Sequence, residues 1–128
     1  MKSARELVAD ANERVDMISV QAAQKLLGSQ DTVFVDLRDS AELAAEGKIP
    51  GAVHVNRGIL EFAMDPTQAT LHNPVFVSGK NFVFYCAGGG RSALAADTAI
   101  RMGLPEKQVC HLAGGFKAWK DAGAPVEQ

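Results

Sequence analysis

The stretch Asn81-Phe-Val-Phe-Tyr-Cys-Ala-Gly-Gly-Gly-Arg-Ser92 decides the fold class of this chain. Its first half is a continuous apolar run, typical of a strand that is buried on both faces of a parallel sheet. Three glycines follow, and Ser92 then begins a helical segment that runs to Met102 and ends before Gly103. A buried strand, a glycine-rich loop and a helix, in this order, are the building unit of an α/β fold.

Strands and helices alternate outward from this stretch in both directions. Apolar runs at 32–37, 52–55 and 108–112 predict further strands. Helical spacing and capping residues predict helices at 4–15, 20–27, 39–47, 58–64 and from 115 onward. This order predicts an α/β fold, a single domain with a central, mostly parallel sheet and helices on both faces.

An amphipathic helix within residues 1–16 precedes the domain, which is predicted to comprise residues 17–128. Ser3 begins this helix, and Glu6 follows three residues later as a capping box. Its apolar side chains recur at helical spacing and form one stripe, which has to pack against another apolar surface. Two interpretations stay open, packing against the chain's own domain and contact with a second copy.

Composition excludes several classes of function. The 128 residues carry 13 Lys and Arg against 15 Asp and Glu, a formal net charge of −2, with no basic run for nucleic acid or a membrane surface. The longest apolar run, 82–87, is far shorter than the roughly 18 residues of a membrane span. Two cysteines, Cys86 and Cys110, fit a reducing compartment, so we expect a cytoplasmic protein. The three histidines match no zinc-binding spacing, and no metal site is predicted.

Cys86 lies where an open α/β sheet binds its ligands, at the carboxyl end of a buried strand. The loop after it has no large side chain before Arg91, so its backbone amides can form an anion-binding nest around the sulfur. The positive end of the following helix points to the same place, and both effects favour a thiolate. The alternative is a packed core thiol. Three glycines, which offer nothing to a core, favour the binding loop, whose candidate residues are Ala87, Gly88, Gly89, Gly90 and Ser92.

Several segments, in order, resemble the rhodanese-homology domains. They are Phe34-Val-Asp-Leu-Arg38, Ile49-Pro-Gly-Ala-Val-His54, Phe84-Tyr-Cys86 with Arg91-Ser92, and Gly114-Gly-Phe-Lys-Ala-Trp119. The resemblance covers residues 18–128 and implies sulfur transfer through a Cys86 persulfide, without metal or organic cofactor. It implies that the amides of residues 87–91 hold the terminal sulfur, and that Arg91 pairs with an anionic donor or braces the loop.

The implied partners are a small sulfur donor such as thiosulfate or a persulfide, and a thiol or cyanide acceptor. A sulfur-accepting protein is a further candidate partner. Because positions 87–90 carry no charge, Arg91 is the only cation in the loop, which favours a neutral or protein-bound persulfide over thiosulfate. Residues 56–80 are either a lid over the site or a surface excursion, and His72 within them is a candidate to approach Cys86.

Asp36 and Arg38 follow the neighbouring strand and are candidate substrate-binding residues. Their structural alternative is an ion pair or a helix-cap contact with Glu42. Cys110, in the middle of a predicted strand, is expected to be a packed thiol and not a resolving cysteine.

Two other functions compete with sulfur transfer. A cysteine phosphatase of the same fold resembles this loop but separates its cysteine from its arginine by five residues, whereas four stand between Cys86 and Arg91 here. The shorter loop suits a single sulfur better than a tetrahedral oxyanion. A rhodanese-like regulatory or sulfur-sensing module is the second alternative, although such modules commonly lack the cysteine.

Overall fold

A five-stranded parallel sheet forms the centre of the molecule. The structure is a computed structural model that describes residues 1–128. The strands are β1 (Asp16–Ile18), β2 (Thr32–Asp36), β3 (Val53–His54), β4 (Asn81–Tyr85) and β5 (Val109–Leu112). They lie in the order β1-β5-β4-β2-β3, and every neighbouring pair is parallel. The predicted α/β fold with a central parallel sheet is therefore confirmed.

The chain has six α-helices, of which four connect successive strands, one precedes β1 and one follows β5. They are α1 (Ala4–Asn12), α2 (Val20–Gln24), α3 (Ser40–Glu46), α4 (Leu60–Met64), α5 (Gly90–Met102) and α6 (Gly115–Asp121). Short 3₁₀ turns occur at Arg57–Ile59, Pro74–Val77 and Glu106–Gln108. No helix is long and apolar enough to cross a membrane.

The sheet separates two apolar cores, because successive side chains of a strand point to opposite faces. On β4, Phe82 and Phe84 enter the core beneath α4 and α5, whereas Val83 and Tyr85 enter the core beneath α2 and α6. Phe76 stacks on Phe82 with ring centroids 5.5 Å apart and closes the first core from the side. The predicted strand 81–86 is thus buried on both faces, and it holds the loop after it rigidly.

The stretch 56–80 covers the first core and does not form a lid. Its helix α4 packs against α5, and Phe76 stacks on the β4 aromatics. Met64 and Phe76 lie beside Met102, at the opposite end of α5 from Cys86. His72 binds the carbonyl of Ala63 within the same stretch. Neither interpretation describes the stretch, because Leu60, Ala63, Met64 and Phe76 are buried members of the first core.

Helix α1 packs against its own domain, as the first of the two interpretations predicted. It lies along α5, with Ala11 buried between them. Arg14, just after α1, forms a bidentate ion pair with Asp97 of α5 at 2.8 and 2.9 Å. Leu7 stays 42% exposed, so the apolar stripe is only partly covered.

Several element boundaries differ from the predicted ones, most of them by one or two residues. Helix α1 ends at Asn12 and α2 at Gln24, each three residues early, because turns finish both segments. Helix α5 begins at Gly90 and not at Ser92, since Gly89 with φ +111° turns the chain directly into it. The edge strand β1 was not predicted, because three residues are too few for a period of two to be visible.

Candidate active site

The loop from Cys86 to Arg91 crosses the carboxyl end of the sheet between β4 and α5. Cys86 is buried, and its Sγ accepts hydrogen bonds from the amide of Gly89 at 3.1 Å and from the amide of Ser92 at 3.4 Å. The Ser92 hydroxyl lies 3.6 Å from the same sulfur. Two backbone amides and one hydroxyl therefore surround the Cys86 sulfur.

The remaining amides of the loop have no partner within the protein. Those of Ala87, Gly88, Gly90 and Arg91 donate to no backbone or side-chain acceptor. Unpaired amides at the start of a helix are the usual donors to bound anions. The loop therefore directs two amides at Cys86 and leaves four without a partner in the protein.

The first turn of α6 fixes the loop from the other side. The amide of Phe116 donates to the carbonyl of Cys86 at 2.8 Å, and the amide of Lys117 donates to that of Ala87 at 3.1 Å. At Gly115, with φ +64°, a Cβ would lie only 2.5 Å from the Ala87 oxygen. Only glycine permits this approach, which explains part of the Gly-Gly pair at 114–115.

Arg91 braces the loop against α3. Its guanidinium donates to both carboxylate oxygens of Glu42, at 2.9 and 3.1 Å. The hydrogen bonds from Arg91 lower the pKa of Glu42 to about 2. Of the two roles that the resemblance implied for Arg91, this structure places the side chain in the bracing one. Its guanidinium is 39% exposed and is engaged by the carboxylate.

Asp36 and Arg38 form a fully buried ion pair and have no surface that a substrate could reach. Arg38 donates to the two carboxylate oxygens at 3.0 and 2.8 Å, and to the carbonyl of Gly47 at 2.7 Å. The Tyr85 hydroxyl donates to Asp36 at 2.6 Å, and burial raises the pKa of Tyr85. This corrects the substrate-binding assignment of both residues in favour of the ion-pair alternative. One nitrogen of the pair is left over, since the buried Arg38 Nη1 has no hydrogen-bond partner and lies 3.6 Å from the Glu46 carboxylate.

Two lysines of α6, Lys117 and Lys120, line a depression that borders the Cys86 loop, and this depression is called the mouth of the site. Sequence analysis did not single them out. A depression of about 420 Å³ beside Ala87 and Gly88 is lined by Phe116, Lys117 and Lys120 together with Glu46. Lys117 pairs with Asp121 at 2.8 Å, and Lys120 with Glu46 at 2.6 Å. Their spacing of three residues, directly after the Gly-Gly pair, was the signal that could have placed them on one helix face.

His111 is the second group that sequence analysis missed. It is buried on β5, its Nδ1 lies 3.0 Å from the hydroxyl of Ser92, and its Nε2 lies 2.8 Å from Oδ1 of Asn12. Burial lowers the pKa of His111. Nothing in the sequence relates these residues, since Asn12 and His111 are 99 positions apart. Cys110, the next residue back, is a free thiol whose pKa burial raises to about 11.

Comparisons with known proteins point in one direction for the fold. A family model for the rhodanese-like domain matches residues 19–122. The mouse thiosulfate sulfurtransferase/rhodanese-like domain-containing protein 3 is 33% identical over 113 residues, covering 80% of this chain and 66% of the mouse protein. A sulfurtransferase of Allochromatium vinosum is 29% identical over 108 residues, which are 84% of this chain and 90% of that protein.

One of the similar proteins of known structure carries a different suggestion. It is a protein of unknown function from Rhodopseudomonas palustris, described as a possible tyrosine phosphatase. The two chains are 46% identical and superpose with a TM-score of 0.92, covering 99% of this chain and 96% of the other. The family match spans most of the sheet, the Cys86 loop and α6. The chain therefore belongs to the rhodanese-like domain family.

Proposed function

We propose that this protein is a sulfurtransferase that carries sulfur as a persulfide on Cys86. The observation that supports this most is the loop itself, which aims two amides at the Cys86 sulfur and leaves four amides unpaired. A nucleophilic thiolate needs stabilised negative charge, and so does the terminal sulfur of a persulfide. Sulfurtransferase names among similar proteins agree with the proposal.

The reaction balances as two displacements at sulfur. The Cys86 thiolate attacks the sulfane sulfur of thiosulfate, the bond to the sulfonate breaks, and sulfite leaves with the electron pair. Cys86 then carries a persulfide anion, whose terminal sulfur cyanide or a thiolate attacks. Thiocyanate or a new persulfide departs, and the Cys86 thiolate is restored. Neither step needs an external oxidant, reductant or metal.

The mouth of the site favours an anionic donor. Lys117 and Lys120 add positive charge beside the loop amides, where sequence analysis had counted Arg91 alone. Each lysine is paired with a carboxylate and remains partly exposed, at 78% and 37% of its side chain. Exposed charges steer an ion toward a site more than they hold it there. Thiosulfate and small anionic persulfides are therefore the donors we propose.

A tyrosine phosphatase activity is the second candidate, because the Rhodopseudomonas protein is described as a possible one. Two features oppose it. Four residues separate Cys86 from Arg91, one fewer than in the phosphatase loop that this stretch resembles. The Arg91 guanidinium is also held by Glu42 and does not point freely at a phosphate.

An intact-mass measurement tests the proposal directly. The Cys110→Ser protein, whose one thiol is Cys86, is incubated briefly with thiosulfate and in parallel with glutathione persulfide, beside the Cys86→Ser protein. We expect an adduct of one sulfur that disappears on addition of cyanide and never forms on Cys86→Ser. Absence of the adduct with both donors would contradict the proposal and favour a regulatory module. Hydrolysis of p-nitrophenyl phosphate that depends on Cys86 would favour the phosphatase.

The charge of the mouth is tested with the rate of sulfur loading. Lys117→Ala and Lys120→Ala are each expected to slow loading from thiosulfate about twofold to fivefold, the effect of an exposed charge. Added salt should reduce that difference, since it screens exposed charges. Lys107→Ala, which removes a lysine outside the mouth, is the control. Equal rates in all variants at low salt would exclude the electrostatic role.

A further inference from the structure

A continuous line of polar contacts leads from Cys86 to the amino-terminal helix. The Cys86 sulfur lies 3.6 Å from the Ser92 hydroxyl, which lies 3.0 Å from Nδ1 of His111. The other ring nitrogen, Nε2, lies 2.8 Å from Oδ1 of Asn12 in α1. The first three residues are buried, with relative exposures of at most 1%. A chain of buried polar groups in an apolar interior requires that each donor meet an acceptor.

The direction of each hydrogen bond follows from Asn12. Its Oδ1 can only accept, so Nε2 of His111 carries the hydrogen. Burial lowers the pKa of His111, which keeps the ring neutral and leaves Nδ1 with a lone pair. The Ser92 hydroxyl is the donor next to that lone pair, although the carbonyl of Gly89 lies 3.2 Å away as a second acceptor. With its hydrogen directed to His111, the Ser92 oxygen can accept from the thiol of Cys86.

We propose that His111 is a positioning residue that takes up the proton of Cys86 through the Ser92 hydroxyl, with Asn12 fixing its tautomer. The proton of Cys86 moves to the Ser92 oxygen while the Ser92 proton moves to Nδ1. The products are a thiolate and an imidazolium, so the net charge is unchanged. The attraction of the thiolate across Ser92 offsets the burial that disfavours the charged ring. The Ser92 hydroxyl then donates to the thiolate, and the imidazolium donates from Nδ1 to Ser92 and from Nε2 to Asn12.

The surroundings support this role. Arg14 and Asp97 bind each other at 2.8 and 2.9 Å, and the charge of Asp16 contributes to the raised pKa of Cys110. No charged side chain shifts the pKa of His111, for which burial is the sole cause. The imidazole thus has Cys86 as its titratable neighbour through Ser92.

The line of contacts from Cys86 through Ser92 and His111 to Asn12 is called the relay. Its last residue, Asn12 of α1, lies outside the matched family region. Asn12 precedes residue 19, where the family match begins. The same helix approaches the loop directly, because a Cβ on Gly90 would lie 3.8 Å from Cγ2 of Val8. This proposal rests on the proposed function in one respect, which is that the Cys86 thiolate serves to attack a sulfur donor. The thiolate itself can be measured without any sulfur donor.

The test is the pH dependence of Cys86 alkylation by iodoacetamide in the Cys110→Ser protein. His111→Gln and Ser92→Ala are each expected to move the midpoint of the rate profile upward by about one pH unit, the loss of a hydrogen bond to a charged group. Thermal melts of the same proteins show whether each variant is folded. A folded His111→Gln protein with an unchanged midpoint would overturn the proposal.

The substitution Asn12→Asp decides the question by the sign of its effect. If His111 takes up the proton of Cys86, a carboxylate beside Nε2 stabilises the imidazolium and lowers the midpoint of the alkylation profile by about half a pH unit. If His111 does not take up the proton, the added negative charge repels the Cys86 thiolate and raises the midpoint. Ala9→Asp, which adds the same charge on an exposed position of α1, is the control. A midpoint for Asn12→Asp at or above that of its parent would overturn the proposal, even where His111→Gln does not fold. Because no sulfur donor is used, this result is independent of the persulfide measurement.

Discussion

The substitution Asp36→Asn measures how much the fold depends on its buried ion pair. The Asp36 carboxylate accepts four hydrogen bonds, from the Arg38 amide, from Arg38 Nε and Nη2, and from the Tyr85 hydroxyl. In the Asp36→Asn protein an NH₂ group replaces one carboxylate oxygen, so it faces groups that are themselves hydrogen-bond donors. The positive charge of the Arg38 guanidinium also loses its neutralising carboxylate. Glu46, 3.6 Å away and 41% exposed, is a weak substitute. Two lost bonds to a charged group, at about 1.5–3 kcal/mol each, give a loss of about 3–6 kcal/mol, which includes the range of about 3–5 kcal/mol for other broken buried pairs.

Urea denaturation followed by tryptophan fluorescence measures the loss, since Trp119 is buried in the same core as Tyr85. The matched control is Asp121→Asn, because Lys117 and Asp121 are also 2.8 Å apart but are 78% and 66% exposed. Breaking that pair is expected to cost at most about 1 kcal/mol. A cost below about 1 kcal/mol for Asp36→Asn would refute the reasoning.

A double substitution separates the charge from the packing. Asp36→Leu with Arg38→Met replaces both charges by apolar groups, and buried pairs replaced in this way often change stability little. The double variant is therefore expected to be more stable than Asp36→Asn alone. If it were less stable, the network would hold the fold through its hydrogen bonds to Tyr85 and Gly47, and not through the balance of charge.

Two further predictions concern the supports of the Cys86 loop. Gly115→Ala should lower the free energy of unfolding by about 1 kcal/mol more than Gly123→Ala, because both glycines have positive φ but only Gly115 is crowded; equal losses in denaturation would contradict the close contact. The pKa of Glu42 is lowered by Arg91 to about 2, so its contribution is present above about pH 4.5 and is lost as the pH falls toward 2. The wild-type protein should therefore lose more stability between pH 5 and pH 3 than Glu42→Gln, and parallel losses in the two proteins would count against the pair.

Much of this site could be predicted because it is local in the chain. Cys86, the glycines and the start of α5 are consecutive, and their backbone geometry depends mainly on their own residue types. The start of α3 was likewise predicted from its capping residues, and there the amide of Asp39 donates to Glu42 at 3.0 Å. The edge strand β1 escaped prediction because its three residues pair only when β5 is already in place.

The roles of the charged residues could not be predicted in the same way. Asp36 and Arg38 share the carboxyl edge of the sheet with Cys86, and the sequence offered no means to tell a substrate-binding pair from a buried one. Burial decided it, because both side chains are covered completely. Arg91 had two roles open until Glu42 of α3 was found within 3 Å of its guanidinium.

The sequence by itself determined the alternation of strands and helices, and it placed Cys86, the proposed nucleophile, at the start of a glycine-rich loop. These depend on periodicity and on residues that are neighbours in the chain. The tertiary structure alone brought Asn12, Ser92 and His111 together and set Lys117 and Lys120 beside the loop. Such contacts join residues that are distant in sequence, and only the packing of helices against the sheet fixes which of them meet.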